Sequence, residues 1–155
     1  MTNNDTLRRL RYTFDLSDQQ MIDIFASAGK EVTRAEVTNW LKKDDDPYFK
    51  GIYDKDLAYF LNGFIILKRG KREGPLPIAE KTLSNNLVLR KLKIALNLKT
   101  EDIIDILDLA NLHVGKHEIT ALFRKPTQSQ FRLCKDQFLR NFLHGLQIKY
   151  RTSST

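Results

Sequence analysis

Residues 3–69 occur a second time, without a gap, at residues 85–151. When the first segment is shifted by 82 positions, 22 of its 67 residues are identical to their counterparts, and most other apolar positions stay apolar. This period is longer than the roughly 20 to 50 residues of a solenoid repeat. Each copy is therefore predicted to be a small domain, or one half of a pseudo-symmetric domain.

The duplication sets the expected domain boundaries. We predict a first repeat at 1–69, a linker at 70–83, a second repeat at 84–151 and a disordered tail at 152–155. The linker begins with a Gly- and Pro-containing stretch that cannot continue a helix. A repeat of this size has only a marginal core of its own, so the two repeats are expected to pack together.

Apolar residues recur at helical spacing in four stretches of each repeat, and no segment alternates like a strand. The predicted fold class is all-α, with two tandem, pseudo-symmetric repeats of four helices. Helices two and three also resemble a helix-turn-helix, because Val32, Val37 and Trp40 have the spacing of its inward residues. Two features depart from that motif: the connection after Gly29 is too long, and Phe25 is large where a small residue is usual.

Capping residues predict the helix ends. The expected caps, in chain order, are Asn3 or Asn4, the Ser17–Gln20 and Thr33–Glu36 capping boxes, Asn85 or Asn86, and Thr100. Gly29 and Asn111 are expected to end the second helices in the left-handed conformation.

A glycine occupies the same interior position of both fourth helices, as Gly63 and Gly145. It costs about 1 kcal/mol relative to alanine there. Its presence in both copies predicts a close backbone crossing, which we assign to the two fourth helices against each other. An early helix end is the alternative.

The composition, with 41% hydrophobic and 29% charged residues, is typical of a soluble globular protein. No signal peptide and no apolar run of about 18 residues is present, which predicts no membrane partner. The single cysteine, Cys134, cannot form an internal disulfide, and this favours a cytoplasmic location.

No reactive constellation is evident. His113 and His117 have the i, i+4 spacing of metal ligands and Cys134 and Glu118 are further candidates, but Gly115 interrupts that helix, so no metal site is expected. The ionisable pairs that the copies share are Asp23/Asp105, Glu36/Glu118 and Asp54/Asp136. Capping explains the last two pairs, and the first is expected to form ion pairs with Arg8 and Arg90. We therefore predict no catalysis, no cofactor and no small-molecule substrate.

The net charge of +7 resides entirely in the second half of the chain. After helix three the first repeat has Asp44, Asp45 and Asp46, whereas the second has Arg124-Lys125-Pro126. We predict that the second repeat binds nucleic acid, DNA rather than RNA. The candidate residues are Arg90, Lys91, Lys93, Lys116, Arg124, Lys125, Arg132, Lys135 and Arg140. The alternative is a protein-interaction adaptor or self-associating module whose acidic and basic segments meet oppositely charged surfaces.

Three segments carry a family resemblance: the duplicated Asn-Asn-x-x-Leu-Arg-x-Leu start, residues 118–125 and residues 136–146. They resemble the YehS-like family of small bacterial proteins, which have a tandem domain of unknown function. The resemblance implies a bacterial cytoplasmic protein with two related helical domains. It implies no activity or ligand. The first repeat departs from the pattern at residues 44–53, which puts equal function of the two copies in doubt.

Overall fold

A computed structural model describes residues 1–151; the predicted disordered tail at 152–155 lies outside the described residues. The first repeat contains α1 (Asn3–Thr13), α2 (Asp18–Ser27), α3 (Arg34–Leu41) and α4 (Asp54–Arg69). The second contains α5 (Asn85–Ala95), α6 (Thr100–Leu109), α7 (Lys116–Leu122) and α8 (Asp136–Arg151). All regular secondary structure in 1–151 is helical, which confirms the all-α prediction.

The two repeats share one hydrophobic core. α4 packs against α5, and α1 packs against α8. Since α1 corresponds to α5 and α4 to α8, these are two copies of one contact, as in a two-fold dimer interface. The second helix of each repeat packs on the fourth, and the third packs on the second. Buried side chains from both repeats form one continuous cluster.

The ends of the second and third helices follow the sequence closely. The capping boxes of Ser17 and Thr33 are both present. Gly29 and Asn111 both adopt positive φ, at 96° and 61°. The cap expected at Thr100 is wrong by one residue, because Lys99 is the N-cap and its backbone N–H donates to the Asp102 carboxylate.

The first helices begin one or two residues earlier than expected. Thr2 and Ser84 are the N-caps, and their hydroxyls accept hydrogen bonds from the backbone N–H of Asp5 and Leu87. The shared asparagines are thus the first helical residues, and the prediction that they act as caps is wrong. Their side chains are free to reach other parts of the repeat.

The shared glycines mark close backbone crossings, as predicted, but between helices of the same repeat. A Cβ on Gly63 would lie 2.8 Å from the carbonyl carbon of Ile24 in α2, and one on Gly145 would lie 2.9 Å from that of Ile106 in α6. The assignment of the crossing to α4 and α8 is wrong, because each of these helices meets the first helix of the other repeat. The alternative of an early helix end is also wrong, since α4 continues to Arg69.

The connection between α2 and α3 spans residues 28–33, and its counterpart between α6 and α7 spans 110–115. Both are longer than the three- or four-residue turn of a helix-turn-helix. Phe25 and Trp40 fill the space between α2 and α3, with ring centroids 5.4 Å apart. These two helices therefore pack around an aromatic pair rather than cross closely.

None of the helices in residues 1–151 has the length and apolarity required to cross a membrane.

Candidate functional site

A buried asparagine in the first repeat holds the segment that follows α3. The Asn4 side-chain N–H groups donate to the carbonyls of Trp40 and Lys50, each at 2.8 Å, and its oxygen accepts from the Ile52 N–H at 3.1 Å. Three hydrogen bonds from one side chain tie together both ends of an irregular segment. We call this arrangement the asparagine clamp.

The second repeat has the same clamp. Asn86 donates to the carbonyls of Leu122 and Arg132, at 3.0 and 2.8 Å, and accepts from the Cys134 N–H at 2.8 Å. The basic segment after α7 therefore has the same anchors as the acidic segment after α3. The two segments differ in their side chains at equivalent places.

The neighbouring asparagines, Asn3 and Asn85, donate to Asp54 and Asp136 at 2.7 Å. The expectation that capping explains these aspartates is wrong for Asp54, because Tyr53 is the N-cap of α4, and both carboxylates instead accept tertiary hydrogen bonds. Asp54 also accepts from the backbone N–H of Leu83 at 2.8 Å, which attaches the end of the linker to the first repeat.

In the first repeat, carboxylates neutralise the shared arginine of α1. The Arg8 guanidinium donates to the Lys42 carbonyl, to Asp5 at 2.6 Å and to Asp44 at 3.4 Å. Burial acts to raise the pKa of Asp5, but hydrogen bonds from Thr2 and Arg8 outweigh it and hold this pKa below its usual value. Asp5 thus stays ionised beside Arg8, and the predicted ion pair of Arg8 with Asp23 is wrong.

In the second repeat, the corresponding arginine lacks both carboxylates. Arg90 donates to the Phe123 carbonyl at 3.0 Å, but the positions of Asp5 and Asp44 are taken by Leu87 and Pro126. Arg90 is exposed, and it lines a small groove together with Arg124. The two repeats thus share the arginine and its carbonyl anchor, and only the first has the counter-charges.

Two further cationic residues, Lys93 and Lys125, lie close to Arg90 and Arg124. The Lys93 ammonium is 5.4 Å from the centroid of the Phe123 ring, and Lys125 is exposed directly after Arg124. We call Arg90, Lys93, Arg124 and Lys125 the basic cluster. The structure thus brings together four of the nine residues predicted to bind nucleic acid.

The other five predicted residues lie elsewhere. Arg132 and Lys135 line a second, adjacent groove. Arg140 lies between the repeats beside Arg9. Lys116 is exposed near Glu101, with 3.9 Å between the charged groups. Arg132 and Lys135 are thus next to the basic cluster, because the two grooves share Leu122, Phe131 and Leu133.

Lys91 is a clear correction, because it is buried between the repeats. Its ammonium lies 2.6 Å from the Asn62 side-chain oxygen and 3.0 Å from a carboxylate oxygen of Glu80 in the linker. Arg9, at the equivalent place, donates to Gln147 across the other half of the interface. Lys91 is therefore a structural residue and cannot reach a phosphate at the surface.

The second groove was not anticipated from the sequence. It has a volume of about 780 Å³ and lies between α7, α8 and residues 131–135. The equivalent groove of the first repeat measures about 480 Å³ and contains Glu36, Asn39 and Asp56. The signal that could have revealed it is a set of polar-to-apolar differences between the copies, such as Asp56 against Phe138.

Cys134 lies in the lining of this second groove, where it is buried. Burial raises the pKa of its thiol from 9.0 to about 12, and the negative charge of Asp136 adds to the shift. The thiolate, which is the reactive form, is therefore scarce at neutral pH. Among residues 1–151, no three His, Cys, Asp or Glu side chains come together as a metal site would require.

We expect Cys134 to react slowly in the folded protein. A raised pKa keeps the thiol neutral at pH 8, so alkylation by iodoacetamide should be about 100-fold slower than in urea-unfolded protein. Mass spectrometry of time points measures both rates. Equal rates in the two states would contradict the burial and the raised pKa.

Comparisons with known proteins place the chain in a family. A family model described as a protein of unknown function (DUF1456) matches twice, at residues 3–70 and 85–152. The Escherichia coli (strain K12) protein described as uncharacterized protein YehS is 44% identical over 150 residues, which cover 96% of each chain. No solved structure matches the chain. The chain belongs to the DUF1456 family and contains its domain twice.

Proposed function

We propose that the protein is a non-catalytic nucleic-acid-binding protein that contacts the phosphates of duplex DNA through the basic cluster of the second repeat. The observation that carries the proposal is the contrast between the shared arginines. Arg8 is neutralised by Asp5 and Asp44, whereas Arg90 keeps its carbonyl anchor and faces no carboxylate at those positions.

The geometry suits phosphate oxygens. One nitrogen of Arg90 is held by a backbone carbonyl, so the guanidinium is oriented before binding and its other N–H groups are available. A guanidinium matches the oxygens of a phosphate in bidentate fashion. Arg124 and Lys125 supply further charge on the segment that the Asn86 clamp holds.

The preference for duplex DNA over RNA rests on the character of the cluster. Sequence-specific recognition of RNA mostly uses unpaired bases stacked on aromatic side chains. Two aromatic rings lie beside the basic cluster: Phe123 is half-buried under Lys93, and Phe131 is half-buried in the groove that Arg90 and Arg124 line, so neither presents an open face for stacking. The exposed tyrosines Tyr48 and Tyr53 belong to the first repeat. A cluster of cations without a stacking platform favours contacts with the regular backbone of a duplex.

The test compares matched charge reversals in the two repeats. Arg124→Glu/Lys125→Glu changes the basic cluster, and Lys42→Glu/Lys43→Glu changes the equivalent positions of the first repeat. We expect wild type to bind labelled duplex DNA with a slope of log K against log salt of about −3.6, from about −0.9 for each of four phosphates. The first variant should lose at least about tenfold in affinity and about 1.8 of the slope. The second should bind like wild type.

The proposal is wrong if wild type binds neither duplex DNA nor RNA below about 100 μM at ~50 mM salt, the weak end of ordinary non-specific binding. Equal losses in both variants would assign binding to net charge instead of the basic cluster. Tighter binding of single-stranded RNA than of the duplex would overturn the stated preference. Far-ultraviolet circular dichroism and thermal unfolding of each variant check that the fold is retained.

A further inference from the structure

The larger groove of the second repeat has the form of a small-molecule site. Its volume of about 780 Å³ lies within the range of roughly 300–1,000 Å³ typical of ligand pockets. The apolar side chains that line it are Leu112, Val114, Leu122, Phe131, Leu133 and Phe138. Leu133 is 69% exposed, an unusual position for a leucine. A groove with this apolar lining, and with Leu133 exposed at its edge, can cover the carbon skeleton of a ligand.

The equivalent groove of the first repeat is lined by different residues. Trp40 packs on Phe25 there, while the smaller Leu122 occupies the equivalent position in the second repeat. Asn39 and Asp56 correspond to Ala121 and Phe138. The smaller Leu122 leaves more space in the second groove, and Phe138 lines it with carbon where Asp56 lines the first groove with a carboxylate. The two grooves have the same place in the fold, so the fold alone does not require the apolar lining.

The mouth of the groove is cationic. Arg132 and Lys135 are exposed and line it, and within the described part of the chain neither side chain makes an ion pair or hydrogen bond. Glu118 also lines the groove, but its carboxylate accepts a hydrogen bond from the Gly115 backbone N–H at 3.4 Å, at the start of α7. Glu118 keeps its negative charge, but the two cations outnumber it, so the charged side chains that line the groove sum to +1.

We infer that this groove binds a small amphipathic anion, with an acyl or aryl body against the apolar lining and a carboxylate at Arg132 and Lys135. The ligand class follows from the shape, the lining and the charge of the mouth together. Arg132 and Lys135 are not part of the basic cluster, so a failure of the protein to bind nucleic acid would leave this site intact.

Two probes with the same tail and opposite heads test the ligand class. Dodecanoate and dodecyltrimethylammonium are titrated into the full chain by calorimetry, below their micelle concentrations. In parallel, methyl NMR spectra follow Leu112, Val114 and Leu133. We expect one dodecanoate per chain, chemical-shift changes centred on these methyl groups, and at least about tenfold weaker binding of the cationic probe because of the charge at the mouth.

Variants localise the site. Leu133→Glu places a carboxylate at an already exposed position and should weaken dodecanoate binding at least about tenfold, because it removes apolar contact and repels the head group. Arg132→Ala/Lys135→Ala should remove most of the preference for the anionic probe. Tyr53→Ala, at the Lys135 position of the first repeat, should bind like wild type. Unfolding temperatures of all variants check folding.

Equal affinity for the two probes would show that they adsorb like detergents, without recognition of the anionic head group. Chemical-shift changes spread over both repeats would show the same, and either result would overturn the inference. An absence of binding by wild type up to the micelle concentration would overturn it as well. So would undiminished dodecanoate binding by the folded Leu133→Glu protein.

Discussion

Replacing Gly63 with alanine is expected to destabilise the protein by about 3–5 kcal/mol, although alanine is normally the better helix former by about 1 kcal/mol. The new Cβ would fall on the Ile24 carbonyl of α2, 2.8 Å from its carbon and closer to its oxygen. Neighbouring backbone cannot move aside as a flexible side chain does, so α2 and α4 must separate. Gly145→Ala should behave alike, because its Cβ would meet Ile106 in the same way.

Urea unfolding measures this effect, and a loss of this size should lower the unfolding temperature by about 10 °C. Gly51→Ala is the matched control. A Cβ there meets only the Asn4 side-chain oxygen, at 4.0 Å, so the change should stay within about 0.5 kcal/mol. A Gly63→Ala protein as stable as wild type would show that the helices do not cross at this glycine.

Breaking the asparagine clamp should have the second largest effect. Asn4→Ala removes three hydrogen bonds and leaves the carbonyls of Trp40 and Lys50 and the N–H of Ile52 without their partner. Asn4 is only 3% exposed, so water cannot easily replace the side chain. At about 1 kcal/mol for each buried bond lost, we expect a destabilisation of about 3 kcal/mol.

The same change in the second repeat tests the role of solvent. Asn86 makes the equivalent three bonds but is partly exposed. Water can satisfy part of the released groups there, so Asn86→Ala should cost about half as much as Asn4→Ala. It should also weaken DNA binding, since the clamp holds the segment that carries Arg124 and Lys125. Chemical unfolding and DNA titration of both variants measure the two effects; equal destabilisation together with unchanged DNA affinity would contradict this account of the clamp.

The segments after α3 and α7 occupy equivalent places in the two repeats but carry different side chains. Both proposed binding sites depend on this difference. The Asn4 and Asn86 clamps hold these segments in the same way. On the first segment Asp44 reaches the shared arginine, whereas the second carries Arg124 and Lys125 beside it. Further along, the second segment also contributes the mouth of the apolar groove. The duplication therefore supplies two copies of one scaffold and a different surface on each.

Helix number, helix type and the capping boxes could be predicted from the sequence because they depend on interactions between residues three or four positions apart. Ser17 with Gln20 and Thr33 with Glu36 are such pairs, and their geometry is fixed once the helix forms. The internal duplication likewise predicted two equivalent halves with a common core. The contrast between the acidic and basic segments was visible at the same level, since it is a property of composition.

Only the tertiary structure decided which residues meet across long separations in the chain. Asn4 looks like a helix cap in sequence but clamps a segment some 40 residues away, because Thr2 already caps the helix. Lys91 belongs to the most basic part of the chain, yet the linker and α4 enclose it. The spacing of residues along one helix shows which of them share a face. It does not show what that face packs against, and so neither the partner of Gly63 nor the open groove beside Leu133 could be derived without the arrangement of all eight described helices.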